Sequence, residues 1–171
     1  MGRHLASKLP YENTMIAPEQ TKAEIDAMLH EFIIIDPNTK RKTAFISGIR
    51  WTELIGDMPM LEFMVEYDDP SGIHKGLAIR VKPPLLQVKK GRKYGYRWEN
   101  APAQSMRLLY WWLKSRLEAI LFGLRDFTQE FLSDVIMKLP NGRDATVGEI
   151  IAPQIKESKI PYLPKKIEAG K

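Results

Sequence analysis

The chain has 171 residues, of which 44% are hydrophobic and 27% are charged, a composition typical of a globular domain rather than of a disordered chain. It contains no cysteine, which excludes disulfide and thiol chemistry, and no apolar run approaches the ~20 residues that span a bilayer. The formal charge of +5 is modest, but the positive charges are unevenly distributed.

Residues 1–15 show little periodicity and no apolar signal segment, so we expect a flexible arm there. The first helix is predicted to end near Glu31. Its start is open between two places. Pro18 fits the first turn, where proline needs no amide partner, and Thr21 with Glu24 fits a capping box.

Four strand-like runs follow this helix, each bounded by turn residues. They cover residues Phe32–Ile35, Thr43–Trp51, Met60–Tyr67 and Gly76–Lys82. The second run alternates, which predicts Phe45, Ser47, Ile49 and Trp51 on one face and Ala44, Ile46, Gly48 and Arg50 on the other. Short connections favour an antiparallel sheet with one face covered by helix.

The third and fourth runs alternate more regularly and predict which side of the sheet is buried. The residues expected to face the helix are Leu61, Phe63, Val65, Leu77, Ile79 and Val81. Those expected to face away are Met64, Glu66, Arg80 and Lys82, with Glu62 and Glu66 pairing with basic residues of the next strand.

The segment between Asp69 and Glu99 contains no acidic residue and eight basic ones, so the rest of the chain sums to −3 (+5 minus 8). Aromatic residues and glycines alternate with the later basic residues. Positive charge attracts phosphate, and aromatic rings stack on unpaired bases, so the segment predicts a site for single-stranded nucleic acid. The residues predicted to bind are Arg80, Lys82, Lys89, Lys90, Arg92, Lys93, Tyr94, Tyr96, Arg97 and Trp98.

Two other interpretations of the basic segment stay open. It is a solvated hairpin whose aromatic rings pack back onto the sheet, or it binds an acidic protein partner. The direction of Tyr94, Tyr96 and Trp98 distinguishes them.

The longest apolar-periodic run is Gln104–Gly123, which predicts the central helix of the fold. Its main stripe consists of Met106, Leu109, Leu113, Leu117 and Ile120. Trp111 lies off this stripe, where it is available to the basic segment, and Gly123 is expected to terminate the helix. The apolar circumference exceeds what one sheet covers, which predicts a homo-oligomer.

A further helix is predicted from Asp126 or Thr128 through Lys138, with Phe127, Phe131, Leu132, Val135 and Ile136 as its apolar face. The Asn141-Gly142 pair indicates a tight turn, after which Thr146 and Glu149 form a capping box for a short helix that Pro153 interrupts or kinks. We therefore expect one α+β domain over residues 1–155, a four-stranded antiparallel sheet covered on one face by a long helix with a helical C-terminal part, and a charged, proline-rich tail over 156–171.

Several stretches resemble a largely uncharacterised group of small proteins encoded by tailed phages and prophages. They are PEQTKAEI at 18–25, Lys114 with Leu117–Ala119, Glu130–Leu132, and LPNGR with TVGE and Pro153-Gln154 between residues 139 and 154. The similarity covers about a third of the chain and leaves out the middle strands and the basic segment. It implies a viral or mobile-element setting, with the host cytoplasm as the expected location, and it carries over no catalytic residues, because the group has no established activity.

Catalytic motifs are not evident in the sequence. His4, His30 and His74 lack metal-ligand spacing, no glycine-rich phosphate loop occurs, and no cofactor is expected. A two-metal nuclease built on Glu62, Glu66 and Asp69 is a distant alternative.

The sequence therefore predicts a non-catalytic nucleic-acid-binding protein, with single-stranded DNA favoured, acting in phage replication or recombination alongside a viral replication partner. The alternative is a protein–protein adaptor or small subunit of a viral or mobile-element complex. DNA versus RNA, and single strand versus duplex, are left open.

Overall fold

A computed structural model describes residues 14–55, 57–69, 71–90 and 97–157, with the backbone alone for 88–90 and 97–98. Its centre is an antiparallel sheet of four strands in the order β1-β2-β3-β4. These strands are β1 (Ile33–Ile35), β2 (Lys42–Thr52), β3 (Met60–Asp68) and β4 (His74–Val81). Helices α1 (Pro18–Glu31) and α2 (Pro102–Leu121) share one buried core with a single face of this sheet, so the predicted α+β fold is confirmed.

The predicted faces of β3 and β4 are also confirmed. Leu61, Val65 and Ile79 are fully buried, and they pack in the same core as the apolar stripe of α2. Glu62 pairs in register with Arg80 on the opposite face, as the alternation requires. The two strands therefore have the expected register.

The predicted alternation of β2 is wrong because the strand contains a bulge. Its register against β3 shifts between Ile46 and Gly48, which places one extra residue in β2. Ala44 and Ile46 are consequently buried on the core side, the same side as Ile49 and Trp51 further along the strand. A strict period of two cannot detect this inserted residue.

Helix α2 matches the predicted central helix, and its main stripe of Met106, Leu109, Leu113, Leu117 and Ile120 is buried. It ends where Gly123 adopts a φ of +69°, a left-handed conformation that favours glycine. The Gly123 amide donates to Ile120 O and the Leu124 amide donates to Ala119 O, which is the Schellman arrangement.

Polar contacts tie α1 to both the sheet and α2. The Trp51 indole Nε1 donates to Asp26 of α1 at 2.7 Å, and Arg107 of α2 forms an ion pair with Glu24. Of the two starts left open for α1, the structure shows the one at Pro18. Among the described residues, no helix is long and apolar enough to cross a membrane.

The predicted helix from Asp126 to Lys138 forms only in its first turns. Asp126 caps α3 (Phe127–Phe131), which is followed by a 3₁₀ turn (Leu132–Asp134) and then by strand β7 (Ile136–Lys138). Val135 forms an isolated antiparallel bridge to Ile79 of β4. The edge of the main sheet therefore offers this β-branched segment a partner that outweighs its helical periodicity.

Of the remaining C-terminal predictions, the turn and the capping box are confirmed, whereas the predicted interruption at Pro153 is not found, and the predicted tail beyond residue 157 lies outside the described residues. β7 pairs with β8 (Asp144–Thr146) across the expected turn, and Thr146 with Glu149 caps α4 (Val147–Glu157), a helix that contains Pro153. Helix α4 thus continues two residues into the expected tail.

Truncating a core residue of α2 tests this packing. Leu113→Ala should lower the free energy of unfolding by about 2–5 kcal/mol, because Leu113 is fully buried. Leu132→Ala removes the same atoms from the 3₁₀ turn, but Leu132 is 52% exposed, so the expected loss is below about 1 kcal/mol. Urea denaturation measures both, and equal losses would contradict the packing described above.

Candidate nucleic-acid interface

The later part of the basic segment forms a separate β-hairpin, which lies between β4 and α2 in the chain. Strand β5 (Gln87–Lys90) pairs with β6 (Arg97–Asn100) in a separate two-stranded sheet. In its register Lys89 is opposite Trp98 and Lys90 is opposite Arg97. Residues 91–96 connect the two strands and lie outside the described residues.

The base of the hairpin is fixed to the first turn of α2 by Ser105, which is fully buried. The Leu86 amide donates to Ser105 Oγ at 3.1 Å, and this hydroxyl donates to Ala101 O at 3.0 Å. The Ala101 amide in turn donates to Leu86 O at 2.8 Å. Because buried polar groups must be paired, these bonds determine where the hairpin leaves the core.

The ten predicted binding residues fall into three groups. Lys89, Lys90, Arg97 and Trp98 occupy neighbouring positions on the hairpin strands. Arg80 and Lys82 lie at the end of β4 and just after it, apart from the hairpin pairing. Arg92, Lys93, Tyr94 and Tyr96 are in the part of the chain that the structure does not describe.

The three basic residues of the acid-free segment whose side chains the structure describes all form ion pairs with carboxylates outside it. Lys75 pairs with Asp69 at 2.6 Å, Arg80 with Glu62 at 2.7 Å, and Lys82 with Asp57. The other five basic residues all belong to residues 87–100, where Glu99 is the one acidic residue in the sequence. The formal charge of this hairpin sequence is therefore +4.

Glu62 joins three strands on the sheet face that lies opposite the helices. Arg80 Nε donates to its Oε1 at 2.7 Å and Arg50 Nε donates to its Oε2 at 2.8 Å. Burial alone raises the pKa of this carboxyl, but the hydrogen bonds from Arg50 and Arg80 outweigh burial and hold the pKa below its usual range. The expected pairing of Glu62 with the next strand is confirmed, and each of its two carboxylate oxygens accepts a hydrogen bond from an arginine.

The other acids of the nuclease alternative are also engaged. Glu66 accepts from His74 Nε2, with 3.1 Å between the two atoms. Asp69 closes the β3–β4 turn, and its pKa is lowered to about 2, chiefly by the hydrogen bond from Lys75 and then by the Ile73 amide. Among the described residues there is no group of three or more acids and histidines placed to hold a metal ion.

A pocket of about 300 Å³ lies near the base of the hairpin. The end of β4 and the residues just after it provide Val81, Lys82 and Pro84, α2 provides Leu108 and Trp112, and the 3₁₀ turn provides Asp134. The lining is thus mainly apolar, with one carboxylate and one ammonium group. Such a composition is typical of small-ligand sites.

The carboxyl of Asp134 is in an unfavourable environment. Burial raises its pKa above the usual range, although the Ser133 hydroxyl donates to Oδ2 at 3.1 Å and the nearby charge of Arg116 attracts it. Among the described residues no donor to Oδ1 is found. Oδ1 is therefore available to a ligand, and Oδ2 keeps a second lone pair that can accept a further hydrogen bond.

Trp112 is held in place from outside the pocket. The Arg116 guanidinium lies 4.1 Å from the centre of a Trp112 ring, and Arg116 itself bonds to Glu130. Phe131 packs edge-on against Trp112, with 5.9 Å between the ring centroids. A fixed aromatic wall of this kind needs little reordering when a ligand binds.

Sequence reasoning missed Ser105 and Asp134. The apolar periodicity predicts a continuous helix through Asp134, although the Ser133-Asp134 pair, with short side chains that bond locally, is a sequence signal for a break. No sequence signal identifies Ser105, because its role depends on the hydrogen bond from Leu86, a residue distant in the chain. Trp111 is 39% exposed and contacts Lys114, Arg107 and Tyr110; any contact with residues 91–96 lies outside the described residues.

No family model matches the chain, and no match was found among curated proteins or solved structures.

The pKa of Asp134 gives a pH-dependent prediction. Folding raises the pKa of this carboxyl, so its ionised form lowers the free energy of unfolding. This loss of stability grows as pH rises through the folded-state pKa. Asp134→Asn removes the charge and should therefore raise Tm at pH 7. The gain should shrink towards zero as pH falls to about 4, near the pKa of an unfolded aspartate.

The matched control for this change is Asp144→Asn, which neutralises an exposed carboxyl on the neighbouring strand β8. Thermal melts of the parent and both variants at the two pH values make the comparison. A loss of Tm on Asp134→Asn at pH 7 would contradict the unfavourable environment assigned to this carboxyl.

Proposed function

We propose that the protein is a non-catalytic nucleic-acid-binding protein that prefers single-stranded DNA. The observation that carries this proposal is the register of the β5–β6 hairpin, which sets Lys90 directly opposite Arg97 in a segment of formal charge +4. The geometry supports a narrow basic ribbon fixed to the core at one end. Nucleic-acid backbones are the polyanions that such a ribbon suits best.

Electrostatics explains why this pairing favours an anionic ligand. Directly opposed residues have Cβ atoms about 5 Å apart, and like charges at this distance destabilise a strand pair. A bound phosphate removes the repulsion and adds charge-assisted hydrogen bonds. Lys75, Arg80 and Lys82 each contact a carboxylate, whereas the hairpin sequence carries five basic residues and one acidic residue, which makes the hairpin the more attractive site for a phosphate.

The aromatic residues favour a single strand over a duplex. Trp98 is paired in register with Lys89, so a base-stacking residue and a phosphate-binding residue are neighbours. Tyr94 and Tyr96 are proposed to stack in the same way, while Arg92 and Lys93 bind phosphate. The resemblance to phage proteins supports a role in phage replication or recombination.

The experiment measures affinity for single-stranded and duplex oligonucleotides by fluorescence anisotropy at several salt concentrations. A triple variant with Lys89, Lys90 and Arg97 changed to Ala should bind more weakly to all sequences. Each phosphate contact contributes about 0.7 to the log–log salt slope for single strands, so losing three contacts should flatten the slope by about 2. Trp98→Ala should instead weaken single-strand binding by roughly 1–3 kcal/mol and leave the slope nearly unchanged.

The matched control removes three exposed basic residues from other elements, Arg41, Lys138 and Arg143, and so causes the same change in net charge. It should have a much smaller effect on affinity than the hairpin variant. Equal effects would show that only total charge matters. A parent protein that binds no nucleic acid near physiological salt would overturn the proposal.

A second candidate, self-association or partner docking, is favoured by a partly apolar groove between α1 and α2. The groove has a volume of about 500 Å³, and its apolar residues include Met28, Leu117 and Leu121. Its charged lining residues are Glu24, Glu31, Lys114 and Glu118. The chain that follows it carries Phe122 and Leu124, which are 74% and 76% exposed. Exposed apolar surface of this kind is typical of interfaces, and we propose a second copy of the chain as its occupant.

Light scattering tests this assembly. The parent should have a mass above the 19.7 kDa of one chain, and a variant with Phe122 and Leu124 changed to Ser should shift towards that mass. The control is Leu132→Ser, which changes a 52% exposed leucine on the 3₁₀ turn. A parent that stays monomeric at every workable concentration would contradict self-association.

A further inference from the structure

The pocket between the end of β4, α2 and the 3₁₀ turn is not used by the phosphate and stacking contacts proposed for the hairpin. It lies beside Pro84, which is three residues before β5, a distance of about 10 Å of extended chain. A nucleotide held at the base of the hairpin is therefore within reach of the pocket. The residues that line the pocket indicate which class of ligand it can bind.

The lining specifies a flat apolar ligand with hydrogen-bond donors on one edge. Leu108, Trp112, Val81 and Pro84 provide apolar walls, and Trp112 is fixed by Arg116 and Phe131. Asp134 is the one carboxylate of the lining, and among the described residues only Ser133 donates to it. An ionised carboxylate accepts hydrogen bonds and does not donate them, so the ligand must supply the N–H groups.

We propose that this pocket binds a guanine base of the single strand held by the hairpin, an inference that rests on the proposed function. Guanine is the base whose pairing edge presents two adjacent donors, N1–H and the N2 amino group, and a carboxylate can accept both. Thymine and uracil present carbonyl oxygens on either side of their single N–H, and these would face the negative charge. Adenine and cytosine each offer one amino donor next to an acceptor nitrogen.

Lys82 complements the same base. Asp57 accepts one hydrogen bond from its ammonium group, which carries three donors. A donor left over is suited to the O6 carbonyl of guanine or to the adjacent phosphate. The pocket thus has a carboxylate for the donor groups and a cation for the acceptor group, and its volume of about 300 Å³ accommodates one base.

The raised pKa of Asp134 agrees with a ligand role. Burial keeps this carboxyl in an environment that disfavours its charge, and two N–H donors from a base would relieve the penalty. Groups that reduce stability in the free protein are common at binding sites, because they are satisfied only when the ligand is present.

The test compares short thymidine oligonucleotides that carry guanine, hypoxanthine or thymine at one central position. The parent protein should bind the guanine strand more tightly than the thymine strand by roughly 5- to 150-fold, the discrimination expected of a bidentate contact. Hypoxanthine lacks the N2 amino group and should be intermediate. In Asp134→Asn, whose side-chain amide offers one acceptor in place of two, the guanine preference should fall to near unity, whereas Asp144→Asn should keep it.

The outcomes separate this inference from the proposed function. If the parent binds all three strands equally, or if Asp134→Asn retains the guanine preference, the pocket does not read guanine although the hairpin still binds nucleic acid. If the parent binds none of the strands, the proposed function fails and the base pocket fails with it. Should Asp134→Asn not fold, as circular dichroism would show, the parent's ranking of guanine, hypoxanthine and thymine decides alone.

Discussion

The structure depends on burying the apolar stripe of α2 against one face of the β1–β4 sheet. The stripe shares a continuous core with α1, with the inward residues of β3 and β4, and with the phenylalanines of α3. Burial of apolar surface is the main favourable term in folding, so this contact determines the position of everything attached to α2. The hairpin is bonded to its first turn and the pocket is lined by its middle, which gives both features a rigid support.

The sequence predicted those parts of the fold that repeat regularly. The faces of β3 and β4 and the stripe of α2 follow from periods of 2 and 3.6 residues. The C-terminal end of α2 follows from Gly123, and the start of α4 follows from the Thr146–Glu149 capping box. The bulge in β2 and the change from helix to strand after Asp134 were not predicted. In both places a contact distant in sequence, to β3 or to the edge of β4, outweighs the local pattern.

The sequence also predicted only part of the candidate site, because the rest depends on contacts between residues that are distant in the chain. A concentration of positive charge is visible in the sequence, and the hairpin bears three of the predicted basic residues within its described strands. The strand alternation predicts the pairing of Glu62 with a basic residue of β4, but it does not predict that Lys82 pairs with Asp57, which precedes β3 in the chain. Asp134 reaches the pocket only because the C-terminal part packs at the edge of β4.

The first residues of α4 support the pocket structurally. Val147 at the start of α4 donates its amide to Val135 O, and Gly148 lies so close to the Ser133 carbonyl that a Cβ would come within 2.9 Å of it. These contacts fix the turn that bears Asp134. The close approach of the Ser133 carbonyl thus accounts for the glycine at position 148.

The central claim is that the hairpin and the pocket at its base form one surface for single-stranded nucleic acid. Hydrogen–deuterium exchange of the full chain, with and without a guanine-containing single strand, tests it most directly. Exchange should slow in residues 87–90, 97–100 and 132–135 and stay unchanged in the groove between α1 and α2. Slowing that is confined to the groove or to the sheet face around Glu62, or no slowing at saturating ligand, would contradict the claim.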